Sequence, residues 1–236
     1  SMSARMQRAA SLAAAGKAAD ASDEYVWLWE NMTKREPAMV GVRGSFLVSD
    51  IQKLITQHPP ARDQFAAVRD RNWTSYQANR DDLNAFSDWM SLNSLLREDD
   101  KTLAWFDAAR KDPAQSEAML RATGRLETIL IKQGRLADVA SLYADPLEPV
   151  RTHARMKSEF YDKMADDETG RNVREVNAQA FRTRVGNLYA ALLLNQREDD
   201  ARKVAAEALR VDDSAALRLA LARTAIENQA GRREQF

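Results

Sequence analysis

The residues that most often carry chemistry are scarce here. The 236-residue chain has two histidines, His58 and His153, and no cysteine. A metal pair on a helix needs a second His, Asp or Glu three or four residues away, and neither histidine has one. Without a thiolate there is neither a cysteine nucleophile nor a disulfide. Serine and threonine are plentiful, but none lies in a nucleophile elbow and little histidine is present to activate one. The stretch "GVRG" (Gly41–Gly44) is too short and wrongly flanked for a phosphate loop. Carboxylates cluster in "REDDK" (Arg97–Lys101), "REDDAR" (Arg197–Arg202) and "DDE" (Asp166–Glu168). The first two stand just before helices, where acids favour the positive dipole end and can cap it. None has the alternating oxygens and glycine of a calcium loop. These patterns predict no catalytic residue, no metal site and no cofactor, and therefore not an enzyme.

Charge narrows the partners. Thirty-five basic and 35 acidic residues cancel, leaving a formal net charge of +0. No third of the chain is strongly basic, whereas phosphate-backbone binding needs a face dominated by Lys and Arg; nucleic acid is not an expected partner. No apolar run approaches the roughly 18 residues of a membrane span. The opening "SMSARMQRAASLAAAGK" has Arg and Gln where a signal peptide needs an unbroken apolar core, so the cytoplasm is the default location. Eight Gly and six Pro are few for this length. A chain so poor in breakers favours helix throughout.

What must position any functional residue is a recurring corner. "LAAAGKAADASDEYVWLWENM", "LNSLLREDDKTLAWFDAARKDP", "ILIKQGRLADVASLYADP" and "LLLNQREDDARKVAAEALRVDD" align on turns at Gly16, Arg97, Gly134 and Gln196. Each reads as an apolar helix end, a tight polar turn and a second amphipathic helix. Nine residues past the first three turns stands an aromatic: Tyr25, Phe106 and Tyr143; Ala205 holds that place in the fourth. Four residues before that position lies a small or short residue: Ala21, Thr102, Val139 or Ala201. Spacings of three and four share one helix face, so the small residue permits close helix approach and the aromatic fills the adjoining groove. Glycine at a corner takes the positive φ that ends a helix.

This pattern resembles the tetratricopeptide repeat, a helix–turn–helix unit of about 34 residues. It departs from that family in its uneven turn spacing and in lacking the Trp-Leu-Gly signature. The resemblance implies an all-α fold in which antiparallel helix pairs stack into a right-handed superhelix, an α-solenoid. With no linker rich in Pro, Gly or Ser, it implies a single domain over residues 1–236. Helices are expected near 3–15, 17–32, 37–57 (broken around Gly41–Ser49), 60–79, 81–96, 99–111, 114–132, 135–144, 147–165, 171–195, 198–210 and 213–229. Asp166–Asn172 reads as a loop.

Two features point to binding. On the helix around "DASDEYVWLWENM", Ala21, Tyr25, Leu28, Trp29 and Met32 share a face, while Trp27 falls opposite with Asn31 among acids. Such a tryptophan is either an anchor for a partner or a residue packed under segment 37–50. Second, Gly124 and Gly186 each lie ten residues before their turn, inside otherwise good helices. A mid-helix glycine costs about 1 kcal/mol relative to alanine, so the matched positions suggest close backbone approach or a small-residue floor. In tetratricopeptide register this row, with Ser87, faces the concave surface; Ser91 and Thr128 lie one turn later. The floor is then small and nearly uncharged. The family's clamp for terminal carboxylates uses Lys and Asn in these rows, and neither occurs there.

The resulting reading is a non-catalytic module binding another protein's peptide or helix in a concave groove. The alternative is a self-assembling regulatory or structural subunit, for instance a homodimer, whose groove is filled by its own oligomer or C-terminal helix.

Overall fold

The computed structural model describes the backbone of residues 1–233 and side chains to residue 229. Those residues are all-α, with no strand among them. The α-helices are α1 (Met2–Ala14), α2 (Ala18–Arg35), the short turn α3 (Val40–Val42), α4 (Val48–Gln57), α5 (Pro60–Ala78) and α6 (Leu83–Leu95). They continue with α7 (Asp99–Ala109), α8 (Ser116–Lys132), α9 (Glu148–Glu159), α10 (Glu168–Leu194), α11 (Glu198–Val211) and α12 (Ala215–Arg233). The break expected around Gly41–Ser49 is a change of winding: a π-helical turn, Arg43–Leu47, joins α3 to α4. The loop expected at Asp166–Asn172 is mostly helix. Asp167 accepts the Gly170 amide at 2.7 Å and so caps α10 from inside that stretch.

All four aligned corners close in the same way. Gly16, Arg97, Gly134 and Gln196 have φ of 75°, 59°, 71° and 59°, and no other described residue has a positive φ. At each one the turn residue's amide donates three residues back and the next amide donates five back. The first corner has Gly16 N–H to Ala13 at 3.1 Å and Lys17 N–H to Leu12 at 2.9 Å. The fourth has Gln196 N–H to Leu193 at 3.0 Å and Arg197 N–H to Leu192 at 2.9 Å. These bonds satisfy carbonyls that a helix end otherwise leaves bare, and the left-handed residue turns the chain at once into the next segment. The four small residues, Ala21, Thr102, Val139 and Ala201, are completely buried. The acids after the second and fourth corners do not cap their helices. Glu98 instead reaches α5, accepting from Arg62 at 2.7 Å and from Arg69.

The third corner departs from expectation. The helix expected over 135–144 is a 3₁₀ helix, Leu136–Leu142. Its apolar residues Leu136, Val139 and Leu142 recur every third residue, which aligns them on one face of a three-residue turn but not of an α-turn. Pro146 and Pro149 then bar a longer helix. Tyr143 consequently leaves the helix in extended backbone, with φ −119° and ψ 113°. Its counterparts Tyr25 and Phe106 stay helical and buried.

The chain forms two compact units, residues 1–122 and residues from Thr123 onward. In the first, α2 packs on α1, α4, α5 and the π turn, α5 on α6, and α6 on α7. Tyr25, Leu28, Trp29 and Met32 of α2 meet Leu47, Ile51, Leu54, Phe65 and Leu92 in its core. In the second, the long α10 packs against the 3₁₀ helix, α9, α11 and α12. Its stripe Phe181, Val185, Leu188 and Leu192 is buried. Arg182 on α10 donates to Asp212, beyond the end of α11, at 2.8 Å.

The corner geometry predicts opposite signs for substitutions in opposite directions. Gly16→Ala and Gly134→Ala should each cost about 1 kcal/mol, because a Cβ is unfavourable at that φ. Arg97→Gly and Gln196→Gly should each gain roughly 0.5 kcal/mol, the relief of strain exceeding the added freedom of the unfolded chain. Chemical denaturation of the four variants measures both.

Candidate functional site

The seven positions singled out in the sequence divide between the units. In the first unit, Trp27 is half-buried against the core. The Arg5 guanidinium of α1 lies 3.4 Å from its ring centre and that of Arg35 lies at 5.2 Å. Its cover is thus a guanidinium from α1. Asn31 donates back to the Trp27 carbonyl at 2.9 Å, spending its amide within the helix. Ser87 and Ser91 on α6 likewise donate to carbonyls four residues earlier, Leu83 and Ser87, both at 2.8 Å. Ser87 also accepts from Arg121 at 3.0 Å.

In the second unit, Gly124 and Thr128 line an open groove of about 430 Å³ between α8 and α10. The α8 wall is Gly124, Glu127, Thr128 and Ile131. The α10 wall carries Val176, Ala180 and Thr183 on one stripe, with Gln179, Arg184 and Asn187 beside them. Each wall is the face of its helix turned away from the buried stripe, which on α8 is Leu126, Ile129 and Leu130. Ile131 and Val176 stand 36% and 59% exposed in it. Gly186 adjoins the lining residue Asn187. A Cβ built on Gly124 or Gly186 meets nothing within 4 Å. Close backbone approach is therefore not why these glycines are there; the space over them is empty. α12 packs on α10, and among the described residues it contributes none to the groove lining.

The floor is not uncharged. Glu127 is 6% exposed and holds two partners on one oxygen: the Tyr143 hydroxyl donates to Oε2 at 2.8 Å, and Arg184 Nε lies 3.3 Å from it. Burial, then the charge and hydrogen bond of Glu127, push the Tyr143 phenol well above its ordinary pKa. The hydroxyl is therefore a fixed donor at neutral pH. Aligning small residues by row overlooks Glu127 and Arg184 because they sit three residues after Gly124 and two before Gly186. The available signal was a carboxylate wedged between Leu126 and Ile129 on a core-facing stretch. Tyr143 was legible only as a core filler, since its reach depends on the 3₁₀ helix before it.

Behind the groove, His153 stacks on Phe181, with centroids 4.1 Å apart and rings 15° from parallel. Burial, followed by the Arg184 and Lys157 cations, depresses its pKa, with Asp212 opposing. No described group of three or more His, Cys, Asp or Glu could hold a metal ion. No helix among the described residues is long and apolar enough to cross a membrane. Comparison with known protein families, curated proteins and solved structures finds no match. The reading of the groove rests on its geometry.

Two predictions follow from these placements. Gly124→Ala and Gly186→Ala should each stabilise the protein by about 0.5–1 kcal/mol, since helix propensity improves and no atom must move. A clash hidden by the open space would show as a lower melting temperature in either variant. His153 is held neutral by the fold, so its contribution is present above the unfolded histidine pKa of about 6.5. That contribution is lost as pH falls through the depressed folded value. Imidazole NMR titration should place His153 below the ordinary histidine value of about 6.5, and His153→Phe should flatten stability between pH 7 and 5.

Proposed function

We propose that the chain is a non-catalytic interaction module of tetratricopeptide-like helix pairs, and that the groove between α8 and α10 takes a segment of another protein. The observation that carries this reading is the open groove itself, bounded by exposed Ile131 and Val176 above glycine and small side chains. Exposed apolar side chains beside unoccupied small residues form a surface that another chain can complete. Its longer wall, from Val176 to Asn187, runs along about 16 Å of helix. That length suits two to three turns of a helix or about five extended residues.

Self-assembly is the second reading, favoured by a specific feature of α12. Leu217 and Leu221 are buried, but Leu219 and Ile226 stand 52% and 66% exposed on its outer side. A second copy could cover that stripe.

One experiment separates the two. A photo-crosslinking benzophenone side chain is placed at Ala180 in the groove and, as a control, at exposed Arg210 on α11. Irradiation in cells that express the protein should attach a second protein at Ala180 but not at Arg210, and Gly124→Trp should abolish the adduct. Adducts only between copies of the chain, together with a dimer mass by light scattering, would favour self-assembly. No adduct specific to Ala180 would overturn the groove reading.

A further inference from the structure

The charge that the groove exposes is one-sided, and that asymmetry identifies the chemistry of its occupant; the inference rests on the groove reading above. Its one buried carboxylate, Glu127, is already engaged by Tyr143 and Arg184. Its cation, Arg184, is only partly engaged. Arg184 is half-exposed and pairs with Glu127 through a 3.3 Å Nε–Oε2 contact. Among the described residues its guanidinium donates no hydrogen bond, although that group carries five N–H donors. Thr183 and Asn187, on the same wall one turn apart, also make no side-chain hydrogen bond among the described residues. Glu127 is buried and held by the Tyr143 hydroxyl, so it draws the Nε side of Arg184 toward the floor. The Nη nitrogens, which pair bidentately with a carboxylate, remain available.

A basic side chain entering the groove would meet the half-exposed Arg184 cation, while Glu127 lies buried with Tyr143 and Arg184 as partners. A neutral apolar segment would leave Arg184, Thr183 and Asn187 covered without partners, at a desolvation cost. An anionic acceptor between apolar side chains answers both walls: its carboxylate meets Arg184 while its neighbours cover Ile131 and Val176. The groove is open rather than a closed socket, so a chain can run through it without ending there. We infer that the occupant is a protein segment presenting the side-chain carboxylate of an internal Asp or Glu to Arg184, between apolar residues that pack on Ile131 and Val176.

The test uses a random-peptide display library, with the variable stretch flanked on both sides by fixed sequence, selected on the whole chain. Gly124→Trp, which fills the groove, serves for counter-selection. Enriched peptides should carry one Asp or Glu flanked by apolar residues. Arg184→Gln should weaken them roughly tenfold to a hundredfold, and Arg184→Lys by less because it keeps the charge but not the fork. Changing the peptide acid to its amide should cost the same, with little further loss when both changes are combined. Unaltered circular dichroism and melting would show that Arg184→Gln folds. Groove-dependent peptides without an enriched acid, or affinities within twofold after Arg184→Gln, would overturn the carboxylate inference and leave the groove reading standing. Enrichment of acids only at a free C-terminus, in a library built to end there, would overturn the internal-residue assignment. No peptide surviving counter-selection would remove both readings.

Discussion

Each helix of a hairpin must end with its last carbonyls satisfied while the chain reverses within a residue or two. In this protein four left-handed residues meet that constraint, and much else depends on them. With the turn set at Gly16, Arg97, Gly134 or Gln196, the small residue five later lies at the contact, where Ala21, Thr102, Val139 and Ala201 are sealed. Two of the four corners accept an ordinary side chain at positive φ, a cost of about 1–2 kcal/mol each that the paired backbone bonds offset. Hairpin closure here depends on backbone bonding more than on glycine.

The third corner shows what happens when the same entrance leads to a different helix. A three-residue apolar repeat selects 3₁₀ winding, and the prolines that follow prevent recovery of α-helix. Tyr143 is thereby released from the position that Tyr25 and Phe106 occupy in the other hairpins. Its hydroxyl reaches Glu127 instead of staying within the apolar layer. A change of winding over seven residues converts a packing position into a polar support for the groove.

That support explains how a carboxylate can sit 6% exposed beside leucines. Burying an unpaired carboxylate costs several kcal/mol, and the Tyr143 donor and Arg184 cation offset it. Arg184 is paired with Glu127 and still half-exposed. Empty space over Gly124, apolar surface at Ile131 and Val176, and a partly spent guanidinium therefore coincide on two helix faces turned away from the core. The anion of the groove is buried and paired while its cation is half-exposed, and this imbalance is the basis for assigning its partner chemistry.

Much of the backbone was legible in the residues themselves. Breaker-poor, Ala- and Leu-rich segments specify helix locally, and the corners could be aligned because a left-handed turn and its small-residue contact lie within one short stretch. The faces of α2 followed from 100° periodicity, with Tyr25, Leu28, Trp29 and Met32 all turned inward. The groove was visible only in part: Gly124 and Thr128 could be placed by register, but Glu127, Arg184 and Tyr143 could not. They come from α8, α10 and the end of a 3₁₀ helix, and their meeting depends on how those elements pack. The cover on Trp27 was equally unreadable, because Arg5 reaches it from another helix. The sequence by itself determined where helices run, where they turn and which face each one buries, since those are properties of neighbours in the chain. Only the tertiary structure decided which outward faces adjoin, which charges are already paired and where space is left, since those depend on residues that the chain keeps far apart.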